Sequence, residues 1–296
     1  MSERVYIVGG TGDIGSLAAK DLIKHNVPVT VLARDPEKAQ KLFPGAGDLL
    51  RVVKGDYDDL ETFEKTVQGH SRMFLLVKDM FNMPKIKQAL AERAYAAGVK
   101  QIVDISSRFA TFPYRSSFIG HMHRQSEEAM LAIPNRGRLV CLRPSKFMTN
   151  HFWFAKPMIQ NANVLADILD LDAYDEYIST WDIAELASIV LRDDIEKHQD
   201  LCYELIGDSV TTRERAAVFS KVLGREIAPK QVAPEEQYKQ AAQHMPHCMA
   251  IDLIHVRCNR PKSPALSVVL GRQPESFEDW VTRNKAAFES SESFAL

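Results

Sequence analysis

Val5-Tyr6-Ile7-Val8-Gly9-Gly10-Thr11-Gly12-Asp13-Ile14-Gly15 is a short β-branched run that breaks into glycines and opens a helical stretch reaching about His25. A pyrophosphate needs bare backbone N–H groups and the positive end of a helix dipole, both at close approach. Glycine at 9, 12 and 15 would provide the tight turn, the approach to phosphate and the contact between helix and sheet, respectively. Gly9, Thr11, Gly12, Asp13, Ile14 and Gly15 are therefore the expected dinucleotide loop.

Outward from this loop the chain alternates. Val27–Ala33, Leu50–Lys54, Met73–Val77 and Gln101–Ile105 read as further strands. The helical patterns between them include one opened by Asp35 with an early proline, Leu60–Gln68, and Pro84–Ala97 closed by Gly98. Apolar strands alternating with amphipathic helices imply βαβ units and a parallel sheet covered on both faces. Arg138–Leu142 and Leu201–Ile206 read as later strands of that sheet, with a helix at Ile183–Leu191 between them. Beyond Gly207 come a helix at Thr212–Leu223, a strand-like Glu226–Val232 and a mostly helical tail. The expected fold is α/β, a Rossmann-type doubly wound parallel sheet with a smaller C-terminal α/β lobe. Residues 1–155 would form the dinucleotide domain, 178–207 would return to it, and 156–296 would form the smaller substrate lobe.

The second strand ends in Arg34, with Lys38 one helical turn on. A guanidinium there suits the 2′-phosphate of NADP(H), where an acidic residue would suit NAD(H); Asp35 stands against this reading. Asp56 can accept from the adenine amino group while Tyr57 lines the ring, and Asp58 or Asp59 can cap the next helix. Val77 and Lys78, at the end of the fourth strand, with Ser106, His123 and Pro144, complete the expected cofactor set.

The chain has 296 residues, 45% hydrophobic and 26% charged, with a formal charge of −2. That balance gives no reason to expect nucleic acid or an anionic membrane as partner. No apolar run approaches the roughly 18 residues of a membrane span, and the opening residues lack the basic flank and apolar core of a signal peptide. Cys141, Cys202, Cys248 and Cys258 form no CxxC pair, which fits buried thiols in a reducing, cytoplasmic setting. His244, His247 and Cys248 with Cys258 meet no known ligand spacing, so no metal is expected.

Gly9–Gly15 (GGTGDIG), Ala33–Lys38 (ARDPEK), Gly55–Asp58 (GDYD) and Val99–Ser107 (VKQIVDISS) together resemble the NmrA-like group of atypical short-chain dehydrogenases. Leu142–Asn150 (LRPSKFMTN) and Gly271–Asn284 (GRQPESFEDWVTRN) extend the similarity almost end to end. The group includes NADPH-dependent quinone reductases, a triphenylmethane reductase, and regulators that bind the dinucleotide without clear catalysis. The resemblance implies a Rossmann core, a small C-terminal lobe and a substrate cleft between them.

Ordinary short-chain dehydrogenases protonate the substrate oxygen from a Tyr-x-x-x-Lys pair. None of the eight tyrosines here has a lysine four residues later. Counting back from Glu127 puts His123 at the lysine position and Ile119 at the tyrosine position. His123 and Glu127 share a helix face and could hydrogen-bond; the His-x-x-x-Glu pattern is similar to that of the group's quinone and triphenylmethane reductases. His123, Ser106 and His121 are the catalytic candidates, with Ser107 and Tyr114 as weaker local donors. Phe109, Phe147 and Trp153 are expected against the substrate, whereas Glu278, Asp279 and Trp280 read as packing residues. Isoleucine supplies no proton, so the favoured acceptor is a quinone, enone or imine-like cation that disperses charge itself. The expected activity is NADPH-dependent hydride delivery to such a molecule. The alternative is a non-catalytic NADP(H) sensor that binds a protein partner, and a homodimer is left open.

Overall fold

The computed structural model describes residues 4–255 and 260–290. The chain runs β1 (Val5–Val8), α1 (Asp13–Lys24), β2 (Val29–Ala33), α2 (Pro36–Leu42), β3 (Leu50–Lys54), α3 (Leu60–Val67), β4 (Arg72–Leu75), α4 (Met83–Ala96), β5 (Gln101–Ile105), α5 (Phe118–Leu131) and β6 (Arg138–Pro144). It continues through β7 (Lys146–Phe147), α6 (His151–Phe154), α7 (Lys156–Ala162), β8 (Val164–Asp167), β9 (Tyr174–Ile178), α8 (Thr180–Arg192), α9 (Ile195–His198) and β10 (Cys202–Leu205). The remainder is β11 (Asp208–Thr211), α10 (Thr212–Leu223), β12 (Ala228–Gln231), α11 (Pro234–Ala241), α12 (His247–His255), α13 (Pro264–Leu270), α14 (Phe277–Arg283) and α15 (Lys285–Glu289).

Seven strands form one sheet in the order β3-β2-β1-β4-β5-β6-β10. The β1–β2, β2–β3, β1–β4, β4–β5 and β5–β6 ladders are parallel. Every residue of β1, β2, β4 and β5 is buried, as a parallel sheet covered on both faces requires. The chain leaves β1 toward β2 and β3, then crosses to β4 on the other side. Strand order therefore reverses beside β1, the point at which open α/β sheets bind ligands beyond their carboxyl ends. This is the Rossmann-type α/β fold expected from the sequence, with a smaller C-terminal region of short strands and helices.

The described residues cluster into two compact units. One runs to Phe112 and takes in Gly120–Arg143 and Ile183–Glu204; the other takes Pro113–Ile119, Pro144–Asp182 and the chain from Leu205. The core of the first joins Tyr6, Leu32, Phe63, Leu75, Leu90, Ile102, Met130 and Cys141. Even its tyrosine is satisfied, with Tyr6 Oη 2.8 Å from Thr66 Oγ1. The second is built around Phe152, Tyr177, Phe219, Phe277, Trp280 and Phe288. Trp280 is 1% exposed there, which gives it the packing role read from sequence.

Local chemistry sets the helix ends. Asp35 accepts from the Lys38 N–H at 3.0 Å with Pro36 in the first turn, and Asp59 accepts from Thr62 N–H at 3.0 Å. Thr211 and Glu214 form a reciprocal capping box at the start of α10, and Gly224 closes that helix at φ +68°.

The strands β7, β8, β9 and β11 are absent from the sequence reading. Antiparallel β9 and β11 join β7 in a three-stranded sheet, and β8 pairs β12. β9 reads Tyr-Asp-Glu-Tyr-Ile, and neither of its acids looks like core. Both are buried because they have partners: Asp175 takes Lys146 Nζ at 2.7 Å and Tyr177 Oη at 2.9 Å, and Glu176 takes the Arg260 N–H.

Candidate active site

The glycine loop has the shape its residues predict. Gly9 adopts φ +84°, and a Cβ on it would stand 2.6 Å from the Leu76 carbonyl oxygen. A Cβ on Gly15 would stand 2.2 Å from the Gly9 carbonyl oxygen, so α1 abuts the loop at a distance only glycine permits. Gly12 is different: its φ of −83° suits any residue, and a Cβ there would meet only the Gly9 oxygen, at 3.5 Å. The space beside Gly12 is open, and no side chain caps α1. The Gly12 N–H bonds Gly9 O at 3.1 Å and the Ser16 N–H bonds Gly12 O at 2.9 Å. The first N–H groups of a helix have no intrahelical acceptor, so those of α1 are groups that could hold a diphosphate. Thr11 and Asp13 are exposed, whereas Ile14 puts its side chain into the core.

Beyond β2, Arg34 is largely exposed, with Nε 3.8 Å from Asp56 Oδ2; Lys38 is also exposed. Asp56 Oδ1 accepts from the Tyr57 N–H at 2.7 Å, and the Tyr57 ring packs against the core cluster. Val77 directs its side chain into that cluster, so its backbone is what it offers a ligand, while Lys78 is exposed.

A second group of polar residues lies at the carboxyl ends of β5 and β6. Asp104 and Lys87 are both fully buried, with Lys87 Nζ 2.7 Å from Asp104 Oδ1 and donating to Ile105 O at 2.9 Å. Burial pushes the Asp104 carboxyl up, and the Lys87 ammonium opposes that shift. Next to this pair, Ser106 Oγ donates to Glu127 Oε1 at 2.5 Å, and Arg143 Nε donates to the same oxygen at 2.9 Å while its Nη2 donates to Oε2. The hydrogen bond to Glu127 holds the Arg143 guanidinium protonated more firmly than usual.

This arrangement corrects the hydrogen bond expected between His123 and Glu127. The Glu127 carboxylate is taken by the Arg143 fork and by Ser106, so the shared face does not join the two residues. Ser106 donates its only hydroxyl hydrogen to Glu127, which leaves its lone pairs to accept. His123 is buried, and its Nδ1 has no hydrogen-bond partner among the described residues. Burial, with the Lys87 charge added, pushes its pKa well below the ordinary histidine value, so the ring is neutral. A buried ring nitrogen without a partner is costly unless something bonds it.

The remaining candidates are dispersed. His121, two residues before His123, is half-buried; Pro144 closes β6 and is buried; Phe109 stacks on Phe112 with centroids 5.3 Å apart. Phe147 and Trp153 belong to the second unit, Phe147 half-buried and Trp153 46% exposed. Tyr114 is 71% exposed. His247 Nδ1 lies 2.9 Å from Tyr238 Oη, and Cys258 lies outside the described residues. Among the described residues, the one group of three ligand atoms close enough to share a metal is Glu127, Cys141 and Cys202. Sequence reasoning missed the Lys87–Asp104 and Arg143–Glu127 pairs, although an aspartate inside the apolar strand QIVDI was a signal that a buried cation must lie opposite.

Residues 9–151 match the NAD(P)H-binding family. Over 293 residues, 96% of this chain and 99% of the relative, the protein is 27% identical to a (4-alkanoyl-5-oxo-2,5-dihydrofuran-3-yl)methyl phosphate reductase of Streptomyces griseus. It superposes on the NADPH-dependent quinone oxidoreductase QOR2 of Escherichia coli, solved with NADPH, at a TM-score of 0.80 and 22% identity, covering 94% of this chain and 99% of the other. It also superposes on NmrA, a negative transcriptional regulator solved with NADP, at a TM-score of 0.76 and 11% identity, covering 95% and 94%. Residues 9–151 thus match the NAD(P)H-binding family model, and the chain shares its fold with QOR2 and NmrA.

Proposed function

We propose that the protein is an NADPH-dependent oxidoreductase that delivers hydride to a conjugated small molecule, a quinone, an enone or an imine-like cation, without a tyrosine acid. The observation that carries this reading is the pairing of an open loop at Gly12 with a neutral, buried His123 whose Nδ1 has no partner among the described residues. The residues present fit the cofactor: the loop takes the diphosphate, Arg34 and Lys38 face solvent where a 2′-phosphate needs cations, and His123 Nδ1 wants a bond. NADPH supplies the hydride when bound.

The chain's own residues orient and solvate rather than protonate. Ile119 stands where the acid of ordinary relatives would be, and neutral His123 donates or accepts a hydrogen bond but is a poor proton source. Ser106 is held as an acceptor by Glu127 and Arg143. An alkoxide formed from a simple ketone would lack its acid, worth about 10²–10⁴ in rate. A conjugated acceptor spreads that charge over its own frame and needs chiefly positioning. The relatives' names agree with this class: one is a reductase of a 5-oxo-2,5-dihydrofuran phosphate and one is a quinone oxidoreductase.

An acceptor panel tests the proposal. Quinones and enones are expected to oxidise NADPH at least about 10²-fold faster than unconjugated ketones of similar size. Equal rates would sink it, and silence across the whole panel despite tight cofactor binding would favour a dinucleotide sensor. Arg34→Ala is expected to cut the preference for NADPH over NADH by about tenfold or more, the size of one lost charge-assisted contact. Dissociation constants for both cofactors check this, and an unchanged ratio would remove Arg34 from the 2′-phosphate site.

A further inference from the structure

At the edge of the seven-stranded sheet, β10 lies beside β6. The Cys141 N–H donates to Leu201 O at 3.1 Å, and the Ser145 N–H to Leu205 O at 2.9 Å, so the two strands run in the same direction. In a parallel pair, that first bond sets Cys141 opposite the residue after Leu201, which is Cys202. Their side chains share a face, and neighbouring strands lie about 4.8 Å apart. That separation falls inside the window of roughly 4.4–6.8 Å between Cα atoms that a disulfide requires. The two sulfurs and a Glu127 oxygen all lie within 4.8 Å of one another.

The two thiols differ in character. Cys141 is 1% exposed in the core, and Cys202 is exposed on the edge strand. The hydrogen bond from Cys141 pulls the Cys202 pKa down, with Arg143 adding in the same direction, whereas that same bond and burial push Cys141 up. An accessible cysteine with a lowered pKa beside a buried one with a raised pKa is the arrangement of an attacking and a resolving cysteine.

We propose that Cys141 and Cys202 form a dithiol that hydrogen peroxide closes to an intramolecular disulfide and that small thiols reopen. The Cys202 thiolate attacks one peroxide oxygen; the O–O bond breaks, and the departing hydroxide takes a proton to become water, leaving a sulfenic acid. The Cys141 sulfur then attacks the Cys202 sulfur; the S–O bond breaks, and the Cys141 proton leaves with that oxygen as a second water. Two thiols are oxidised to one disulfide as one peroxide is reduced. A divalent metal held by Glu127 and both sulfurs is the competing use of these atoms. It is disfavoured because Glu127 is already bonded by Ser106 and Arg143, whose guanidinium would face the ion.

The test is a hydrogen peroxide titration of the full chain, read by intact mass and by peptide mapping without reductant. A mass lower by two hydrogens is expected, with Cys141 joined to Cys202, and both changes reversed by dithiothreitol. Cys202→Ser is expected to abolish the cross-link, and Cys248→Ser to leave it. Cys202 advancing to sulfinic acid while Cys141 stays open to alkylation would overturn the proposal. So would resistance of both thiols to excess peroxide, or stoichiometric zinc in the purified protein that shields them.

Discussion

Replacing Gly12 by alanine is expected to leave the melting temperature unchanged and to weaken NADPH binding by about tenfold to a hundredfold, roughly 1.4–2.7 kcal/mol. The backbone at Gly12 already has φ −83°, and an added methyl meets only the Gly9 carbonyl oxygen at 3.5 Å, so the apo protein tolerates it. The methyl instead occupies the space through which a diphosphate reaches the first N–H groups of α1. Gly15→Ala is the contrasting variant. Its Cβ would sit 2.2 Å from Gly9 O and force helix and loop apart, so both stability and binding should fall. Fluorescence titration with NADPH, run beside thermal melts, separates the two. A Gly12→Ala protein that binds normally would show that the loop is structural.

Lys87→Met is expected to destabilise the protein by about 3–5 kcal/mol, because it strands a buried carboxylate without its cation. Asp104 and Lys87 are both 0% exposed, so neither can turn to water. The effect should depend on pH in a defined direction. Burial holds the Asp104 carboxyl above its ordinary value, and removing Lys87 takes away the charge that opposes this shift. In the variant, stability is greatest below the unfolded carboxyl pKa of about 3.9, where both states are protonated. It falls as the pH rises from there and levels off above the raised pKa of the folded state. Adding Asp104→Leu should recover most of the loss and flatten the profile. Melts of the wild type and both variants from acid to neutral pH read this directly; a pH-independent loss in Lys87→Met would mean that the lysine acts by packing alone.

The fold was legible where burial, turn chemistry and period agree. β1 runs into Gly9 and β2 lies between Pro28 and Arg34-Asp35, and Asp35, Asp59 and Gly98 mark helix ends with their own side chains or backbone freedom. The glycine loop was legible because Gly9 and Gly15 each answer a separate steric demand. β9 was hidden because its two buried acids owe their place to Lys146 and to the Arg260 backbone, distant in sequence. The same holds at the site. His123 and Glu127 share a helix face, but helix spacing cannot show that Arg143 and Ser106 have taken the carboxylate first. Nor does the spacing of Cys141 and Cys202, 61 residues apart, show that parallel pairing sets them side by side.

The most direct test of the proposed function is a titration of the purified protein with NADPH and with NADH, followed by stopped-flow oxidation of the bound cofactor with menadione. Tighter binding of NADPH and rapid loss of its absorbance on mixing with the quinone are the expected results. Tight binding with no oxidation by menadione or by any conjugated acceptor would contradict the reductase, and a preference for NADH would contradict the role given to Arg34.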